Sequence, residues 1–404
     1  MSERVVVTIV GIGDDGWAGL TETARAELRR APMIVGSSRQ LALLPDLGVR
    51  QQPLPSPLLS QLDELVADNP GLCLLASGDP MLHGLGATLA RRLGAGRLRV
   101  LPAVSSVALA CARLGWAEHE VDVVSLVSRP VEVVVPTVQP GARVLVLCRD
   151  GGTPAALASL LADRGWGGTE LTVLEHLGGE AEQVSGPVAA AAALGGGRYG
   201  DLAMVALVCR PGPDASRLPR VPGLPDDAYE HDGQLTRREA RASALAALAP
   251  GPGQLLWDVG AGSGSIGIEW MRVDARCRAV AVERRGDRAE RVRRNATALG
   301  VPDLQVVCGD APAALGGLAR PDAVFVGGGL TADGLLETCW ERLGAGGRLV
   351  AHAVTIESEG VLHRWRQAAG GHLMRLAASH AGPLGGFTAW RPALPITQWQ
   401  VTRP

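Results

Sequence analysis

The chain has 404 residues, 47% of them hydrophobic, 3% aromatic and 20% charged, with a formal net charge of -2. That length calls for two or three domains. The near-neutral balance, with nine Trp, two Tyr and two Phe, excludes a general nucleic-acid binder, which carries a strong basic excess. Seven scattered cysteines (Cys73, Cys111, Cys148, Cys209, Cys277, Cys308 and Cys339) form no C-x-x-C pair, which argues against a zinc site and a disulfide framework, so no metal is expected. No apolar run reaches the roughly 18 residues of a membrane span, and no room precedes the first strand for a signal peptide. A cytoplasmic protein with no membrane or nucleic-acid partner is expected, acting as a homo-oligomer. Every basic side chain is Arg, whose planar fork suits fixed carboxylates, although genome composition accounts for the same bias.

The first strand, 5–10, runs into Gly11-Ile12-Gly13-Asp14-Asp15-Gly16. A helix is predicted at 21–30 and a second strand at 33–35. No acidic residue ends that strand, so the first turn is not a dinucleotide site by the usual rule. Strand 71–75 leads to Ala76-Ser77-Gly78-Asp79-Pro80-Met81-Leu82-His83-Gly84. Gly-Asp-Pro at a strand end makes a rigid turn whose Asp and backbone can hold an amino-acid or nucleoside group. His83 reads as a wall residue of such a cleft. Strand 97–101 leads to Leu101-Pro102-Ala103-Val104-Ser105-Ser106. Strands follow at 121–127 and 143–147, then Arg149-Asp150-Gly151-Gly152-Thr153-Pro154 ahead of a helix at 154–164. Strands 171–174 and 201–208 close this half. Short apolar runs alternating with amphipathic stretches predict α/β domains with mostly parallel sheets.

Between 210 and 233 stand Pro211, Pro213, Pro219, Pro222 and Pro225. Proline at this density lacks donors for helix or sheet and reads as an extended linker. The expected domains are therefore 1–210 and 229–404, with 211–228 as the linker.

The second half offers strands at 254–259, 277–282, 304–308, 323–326 and 348–353, with helices at 237–248, 265–272, 287–299 and 333–343. Trp257-Asp258-Val259-Gly260-Ala261-Gly262-Ser263-Gly264-Ser265 follows the first strand and opens a helix. Its glycines let the backbone turn sharply and approach a ligand. Glu283 ends the next strand, where an acidic side chain can accept both ribose hydroxyls. Cys308-Gly309-Asp310-Ala311 ends the third, placing Asp310 and Ala311 beside an adenine. A nicotinamide enzyme shares this logic. The G-x-G-x-G spacing, the preceding Asp258 and the Gly309-Asp310 turn instead resemble class I S-adenosylmethionine (SAM) methyltransferases. The fourth strand ends Phe325-Val326-Gly327-Gly328-Gly329, without the Asn/Asp-Pro-Pro-aromatic motif of enzymes that methylate amide nitrogens. A substrate that brings its own nucleophile, such as an electron-rich carbon, is expected.

Asp232-Gly233-Gln234-Leu235-Thr236-Arg237-Arg238-Glu239-Ala240-Arg241, the glycine turn and Ala353-Val354-Thr355-Ile356-Glu357 resemble the corrin-pathway enzymes that methylate carbon 15 of a precorrin and decarboxylate its acetate. The resemblance covers Tyr229 to the C-terminus. It implies that Thr236, Gly260, Ala261, Gly262, Ser263, Gly264, Glu283 and Ala311 hold SAM. Arg237, Arg238 and Arg241 are candidates for the substrate's carboxylates. A capped helix start, Thr236 as N-cap with Glu239 three residues on, is the alternative for this segment. The arginines at 284–294 tempt towards nucleic acid, but Asp287–Arg291 and Glu290–Arg294 at i,i+4 predict a solvated helix face. The catalytic residues are unknown; Glu357 and His352 are candidates for the proton donor of decarboxylation, and His352 stands where that family often carries Asn.

In the first half, the ordered turns after the strands resemble the tetrapyrrole methylases (class III SAM enzymes), from Val5 to about Arg210. The first turn departs from that family's Gly-Pro-Gly-Asp by carrying Gly13-Asp14-Asp15-Gly16. The resemblance implies a fold of two α/β subdomains and SAM contacts from Gly11, Gly13, Asp79, Leu82, Ser105 and Ser106. The second half is expected to be a class I Rossmann-like domain. The fusion resembles the corrin-pathway enzymes that methylate carbons 5 and 15 of precorrin-6B, decarboxylate the ring C acetate and yield precorrin-8X. The alternatives are an RNA methyltransferase, which calls for a basic strip not seen here, and a non-catalytic SAM-binding protein.

Overall fold

Six consecutive buried residues form β1 (Val7–Ile12), as expected of a strand covered on both faces. Val7 and Ile9 pack with Leu62, Leu65 and Leu89 on one side. Val10 and Ile12 pack with Leu20, Ala24 and Leu28 on the other, because successive side chains alternate. This computed structural model describes residues 7–193 and 197–404; positions 5 and 6 of the expected first strand lie outside them.

The first sheet is parallel throughout, in the order β3-β2-β4-β1-β5, with β2 (Met33–Gly36), β3 (Arg50–Pro53), β4 (Cys73–Ser77) and β5 (Leu98–Leu101). The second contains β6 (Val121–Ser125), β7 (Arg143–Leu147), β8 (Glu170–Glu175), β9 (Gln183–Ala189) and β10 (Ala203–Val208), in the order β6-β7-β10-β8-β9. Here only β6 and β7 pair in parallel, which corrects the expectation of mostly parallel sheets for this subdomain. The helix Thr153–Asp163 carries the chain from β7 to β8 and leaves one slot between them, which β10 fills from the opposite direction. An apolar run reads the same in either direction, so sequence did not reveal this.

The second unit carries β11 (Leu255–Val259), β12 (Arg278–Glu283), β13 (Gln305–Cys308), β14 (Ala323–Val326), β15 (Arg348–Ala353), β16 (His372–Leu376), β17 (Ser379–Leu384), β18 (Phe387–Pro392) and β19 (Ile396–Thr402). Its main sheet runs β13-β12-β11-β14-β15-β19-β16, with β19 antiparallel to both neighbours. The chain order reverses at β11, which has β12 on one side and β14 on the other. The crevice outside the carboxyl ends of strands at such a reversal is where open α/β sheets bind ligands. Trp257, Leu349, Ala351 and Trp399 form the core on one face, under Leu335, Leu336 and Leu362.

The units divide as Met1–Val131 with Pro140–Ser216, and Glu132–Gln139 with Arg217–Pro404. The proline-rich stretch is therefore not a free tether. Ser216 donates its backbone N–H to Arg164 in the first unit. Beyond it Leu218 and Leu224 are buried in the second unit. The backbone N–H groups of Gly223 and Leu224 donate to the buried Glu269 carboxylate at 2.6 and 3.0 Å. Local composition reads as linker because its binding partner lies about 45 residues further on. Six of the seven cysteines are buried. Among the described residues no helix is long and apolar enough to cross a membrane.

Candidate functional site

In the first unit the loops after β1, β4 and β5 converge. A Cβ on Gly11 would lie 2.2 Å from the Gly78 carbonyl oxygen and 2.6 Å from the Ala103 nitrogen. Gly11 is thus required for loop-to-loop approach and does not itself line the neighbouring cavity. That cavity, about 410 Å³, falls within the roughly 300–1,000 Å³ of small-molecule sites. Gly13, Asp79, Leu82, Ser105 and Ser106 all line it. Asp79 Oδ1 accepts the Met81 N–H at 2.8 Å, which closes the Gly-Asp-Pro turn. Ser105 caps the helix Ser106–Leu114 by accepting the Ala108 N–H. His83 stands in the wall, as expected, with its backbone in the left-handed region at φ 51°. Cys148 also faces the cavity, but burial and the Asp150 charge push its thiol up to about 12, so it stays neutral.

A polar cluster at this cavity escaped sequence reading. Arg39 Nη1 donates to Asp14 Oδ1 at 2.8 Å, and His176 Nδ1 lies 2.9 Å from Asp14 Oδ2. Arg39 and Gln40 also donate to Ser77 Oγ, at 3.3 and 3.0 Å. Asp14 stood in a motif, whereas its partners are 25 and 162 residues away and carried no local signal.

In the second unit Gly260, Gly262 and Gly264 adopt φ of 71°, 60° and 79°, a region that favours glycine. Glu283 is buried at the end of β12 and grips this turn. Its Oε2 accepts the Gly262 N–H at 2.9 Å and its Oε1 the Arg285 N–H at 3.0 Å. Asp258 Oδ2 accepts the Gly267 N–H at 2.9 Å, anchoring the start of the helix Ser265–Val273. Burial, reinforced by the Glu283 charge, pushes the Asp258 carboxyl from 3.8 up to about 7, despite that hydrogen bond. Within the turn, Ser263 Oγ is buried without a hydrogen-bond partner. A bound polar ligand would satisfy it. Ala311 is half-buried and Asp310 exposed just past β13, on the same carboxyl edge.

Several expectations are corrected. The helix Arg238–Leu248 begins with Arg237 as N-cap residue and no side-chain cap, so Thr236 does not form a capping box with Glu239. Arg241 is fully buried and is not a surface group awaiting carboxylates. Its Nε donates to Glu269 at 2.6 Å, its other nitrogens to the Leu224 and Thr236 carbonyls and to Asp226, and its guanidinium lies 4.9 Å over the Tyr229 ring. Arg237 and Arg238 remain exposed, Arg237 pairing with Asp226 at 3.3 Å. The arginines of the helix Gly286–Ala298 do not use the i,i+4 pairs expected of them. Arg288 and Arg291 reach Asp232, and Arg294 reaches Glu230, so this face clamps the segment ahead of Arg237. The acidic partners come from another part of the chain, which a local spacing rule cannot find.

The two candidate proton donors are in different settings. His352 is buried, its Nε2 2.9 Å from Gln398 Oε1 and its ring edge-on to Phe325 at 5.0 Å; burial lowers its pKa. Glu357 is exposed in the first turn of the helix Ile356–Ala369.

Comparison with known proteins brings the two halves together. Residues 6–192 match the model for tetrapyrrole (corrin/porphyrin) methylases, and residues 227–403 the precorrin methyltransferase domain. A Sinorhizobium precorrin-6Y C(5,15)-methyltransferase [decarboxylating] is 48% identical over 400 residues, covering 98% of this chain and 96% of that protein. The chain belongs to the precorrin-6Y C5,15-methyltransferase family. A Mycobacterium tuberculosis member is 46% identical over 410 residues, covering 98% of this chain and 100% of its own. The crystal structure of the C-terminal domain of the Rhodobacter capsulatus member is 44% identical, covering 46% of this chain and 100% of that domain, with a TM-score of 0.44.

Proposed function

We propose that the chain methylates one precorrin twice, at carbon 5 in the first unit and at carbon 15 in the second, and decarboxylates the ring C acetate in the second. The chain is an enzyme of cobalamin biosynthesis that acts on a tetrapyrrole with SAM as methyl donor. The observation that carries the division of labour is the pair of unrelated turn constellations, each assembled at the carboxyl edge of its own sheet.

When bound, SAM supplies an electrophilic methyl group. In the second unit the turn Gly260 to Gly264 would hold it, with Ala261 backbone, the orphaned Ser263 hydroxyl, Glu283, Asp310, Ala311 and Thr236 around it. In the first unit Gly13, Asp79, Leu82, Ser105 and Ser106 would do so. A carbon conjugated to pyrrole nitrogen is already nucleophilic, so the chain's contribution is positioning and exclusion of water. Arg237 and Arg238 are suited to the substrate's carboxylates. Glu357, exposed at the helix start, is the better placed proton donor for decarboxylation. The catalytic parts are 1–210 and 229–404, joined through 211–228, which packs against both units' own residues.

We further propose that the protein self-associates in the cytoplasm without a nucleic-acid partner. The hairpin β17–β18 pairs only with itself among the described residues and exposes Phe387 at 83% and Trp390 at 74%. Apolar exposure of that kind marks interaction surfaces. Light scattering on Trp390→Glu should show a smaller particle than the native chain.

The main test counts methyl groups delivered from labelled SAM to the reduced precorrin-6 substrate, together with carbon dioxide released. Asp79→Ala should lose one transfer and retain decarboxylation, and Glu283→Ala should lose the other transfer with decarboxylation. If either variant loses both methyl groups, or neither, two independent sites do not exist.

A further inference from the structure

Transfer of a methyl cation onto a neutral carbon skeleton leaves that skeleton with one positive charge. The sulfur–carbon bond breaks with its electron pair on sulfur, and a pair from the conjugated system forms the new carbon–carbon bond. Loss of a ring N–H proton can restore neutrality, but conjugation through the methylated carbon returns only when that carbon loses its hydrogen as a proton, the C–H pair flowing back into the ring system. A carbon–hydrogen bond beside such a cation is acidic enough for a carboxylate to accept the proton, provided the carboxylate is in reach.

We propose that Asp14 is the proton acceptor of the first unit's methyl transfer, with Arg39 and His176 as its positioning residues. The inference rests on the reading that the first unit methylates carbon 5. Asp14 lines the same cavity as Asp79, Ser105 and Ser106, the space the reactants would share. Its side chain is only 14% exposed, and its two oxygens are held by different elements. Arg39, in the helix Ser38–Ala42, takes Oδ1 at 2.8 Å; His176, just past β8, takes Oδ2 at 2.9 Å. A carboxylate has about four lone-pair sites, so two remain for an incoming proton.

Two features show that this arrangement is built for that carboxylate. His176 adopts φ 51°, one of three non-glycine residues in the left-handed region among those described. Strain of this kind persists where surrounding structure enforces it, and it clusters at functional sites. Gly179 closes the far side: a Cβ there would lie 2.5 Å from Asp14 Oδ2, so any larger residue would displace the carboxylate. The other carboxylates of the cavity are each held through one oxygen, whereas Asp14 is held through both. Asp79 accepts the Met81 N–H inside its turn, and Asp201 accepts the Gly151 N–H together with Arg198.

The test uses the full chain, with SAM and substrate carrying either hydrogen or deuterium at carbon 5. Asp14→Asn keeps the shape but cannot accept the proton. It should lower kcat for the carbon 5 transfer by about 100-fold, leave the Kd for SAM within about twofold and expose a primary isotope effect absent from the native enzyme. Asp14→Glu should recover much of the rate, and His176→Gln should lower kcat without raising KM for SAM. Carbon 15 methylation by the same molecules reports that each variant is folded. A native carbon 5 rate in Asp14→Asn overturns the proposal. So does loss of SAM binding in parallel with rate, or equal slowness of Asp14→Glu and Asp14→Asn without an isotope effect. If Asp79→Ala leaves carbon 5 methylation intact, the assignment of carbon 5 to this unit is what fails, and the proposal goes with it.

Discussion

Substituting Gly260 by Ala should remove the second cofactor site while leaving the first. Two costs combine. The backbone sits at φ 71°, where an L-residue with a Cβ is disfavoured by about 1–2 kcal/mol. The new Cβ would also lie 2.8 Å from the Gly328 nitrogen and 3.0 Å from its Cα. Those are main-chain atoms of the loop after β14, so no side-chain rotation relieves the contact. The two loops must part by about half an ångström, which in a close-packed interior disturbs every contact they share. Gly253 supplies the control. It has φ 80° and nothing within 4 Å of its Cβ position, so Gly253→Ala bears the backbone cost alone. Equilibrium dialysis with labelled SAM should give two equivalents for the native chain and for Gly253→Ala, and one for Gly260→Ala. Carbon dioxide release should disappear in Gly260→Ala only. Two bound equivalents in Gly260→Ala, or equal damage from Gly253→Ala, would refute the reasoning.

Asp258 should make the second unit pH-sensitive. Its native carboxyl titrates near 7 against an ordinary 3.8, so between those values the folded state binds more protons than the unfolded one. Stability therefore falls as pH rises through that window, by at most about 4 kcal/mol. Asp258→Asn should flatten the slope in urea melts at pH 5 and 7.5, and an unchanged slope would count against a buried, destabilised carboxylate. Arg241→Met leaves Glu269 charged and buried with only the Gly223 and Leu224 N–H groups and the Tyr229 hydroxyl. It should cost about 3–5 kcal/mol in the same melts without altering KM for the precorrin in the folded protein. His352 is held neutral by burial, so between its lowered native pKa and the ordinary 6.5 the unfolded state binds more protons, and stability falls as pH drops through that window. His352→Gln should lessen that acid sensitivity and leave carbon dioxide release unchanged; a loss of release would return His352 to the chemistry.

Element boundaries were legible wherever period and punctuation agreed. Each strand and helix expected from the sequence lies within about two residues of its position in the structure, because apolar runs ended by glycine or Asp turns leave little freedom. The exposed edge strand β9 was invisible, since it carries no buried face to imprint a pattern. The strands β16 to β19 were also missed, although Trp399 and Val401 on β19 are buried. The hairpin β17–β18 carries Gly382, Pro383 and Pro392 and pairs only with itself among the described residues, whereas β19 takes its place beside β15 and β16 beside β19.

The glycine turns, Glu283 and the Gly-Asp-Pro turn could be read directly, because a phosphate-free nucleoside ligand needs backbone approach at strand ends and only a few residue types permit it. Which charges serve a ligand and which serve the fold could not. Arg237, Arg238 and Arg241 are equivalent as letters, yet the third is enclosed by Asp226 and Tyr229 from one stretch and Glu269 from another. Asp14 likewise gained its meaning only when Arg39 and His176 were brought to it. Backbone conformation is a local property that composition encodes; the partner of a charge is set by tertiary packing, and a single sequence carries no record of it.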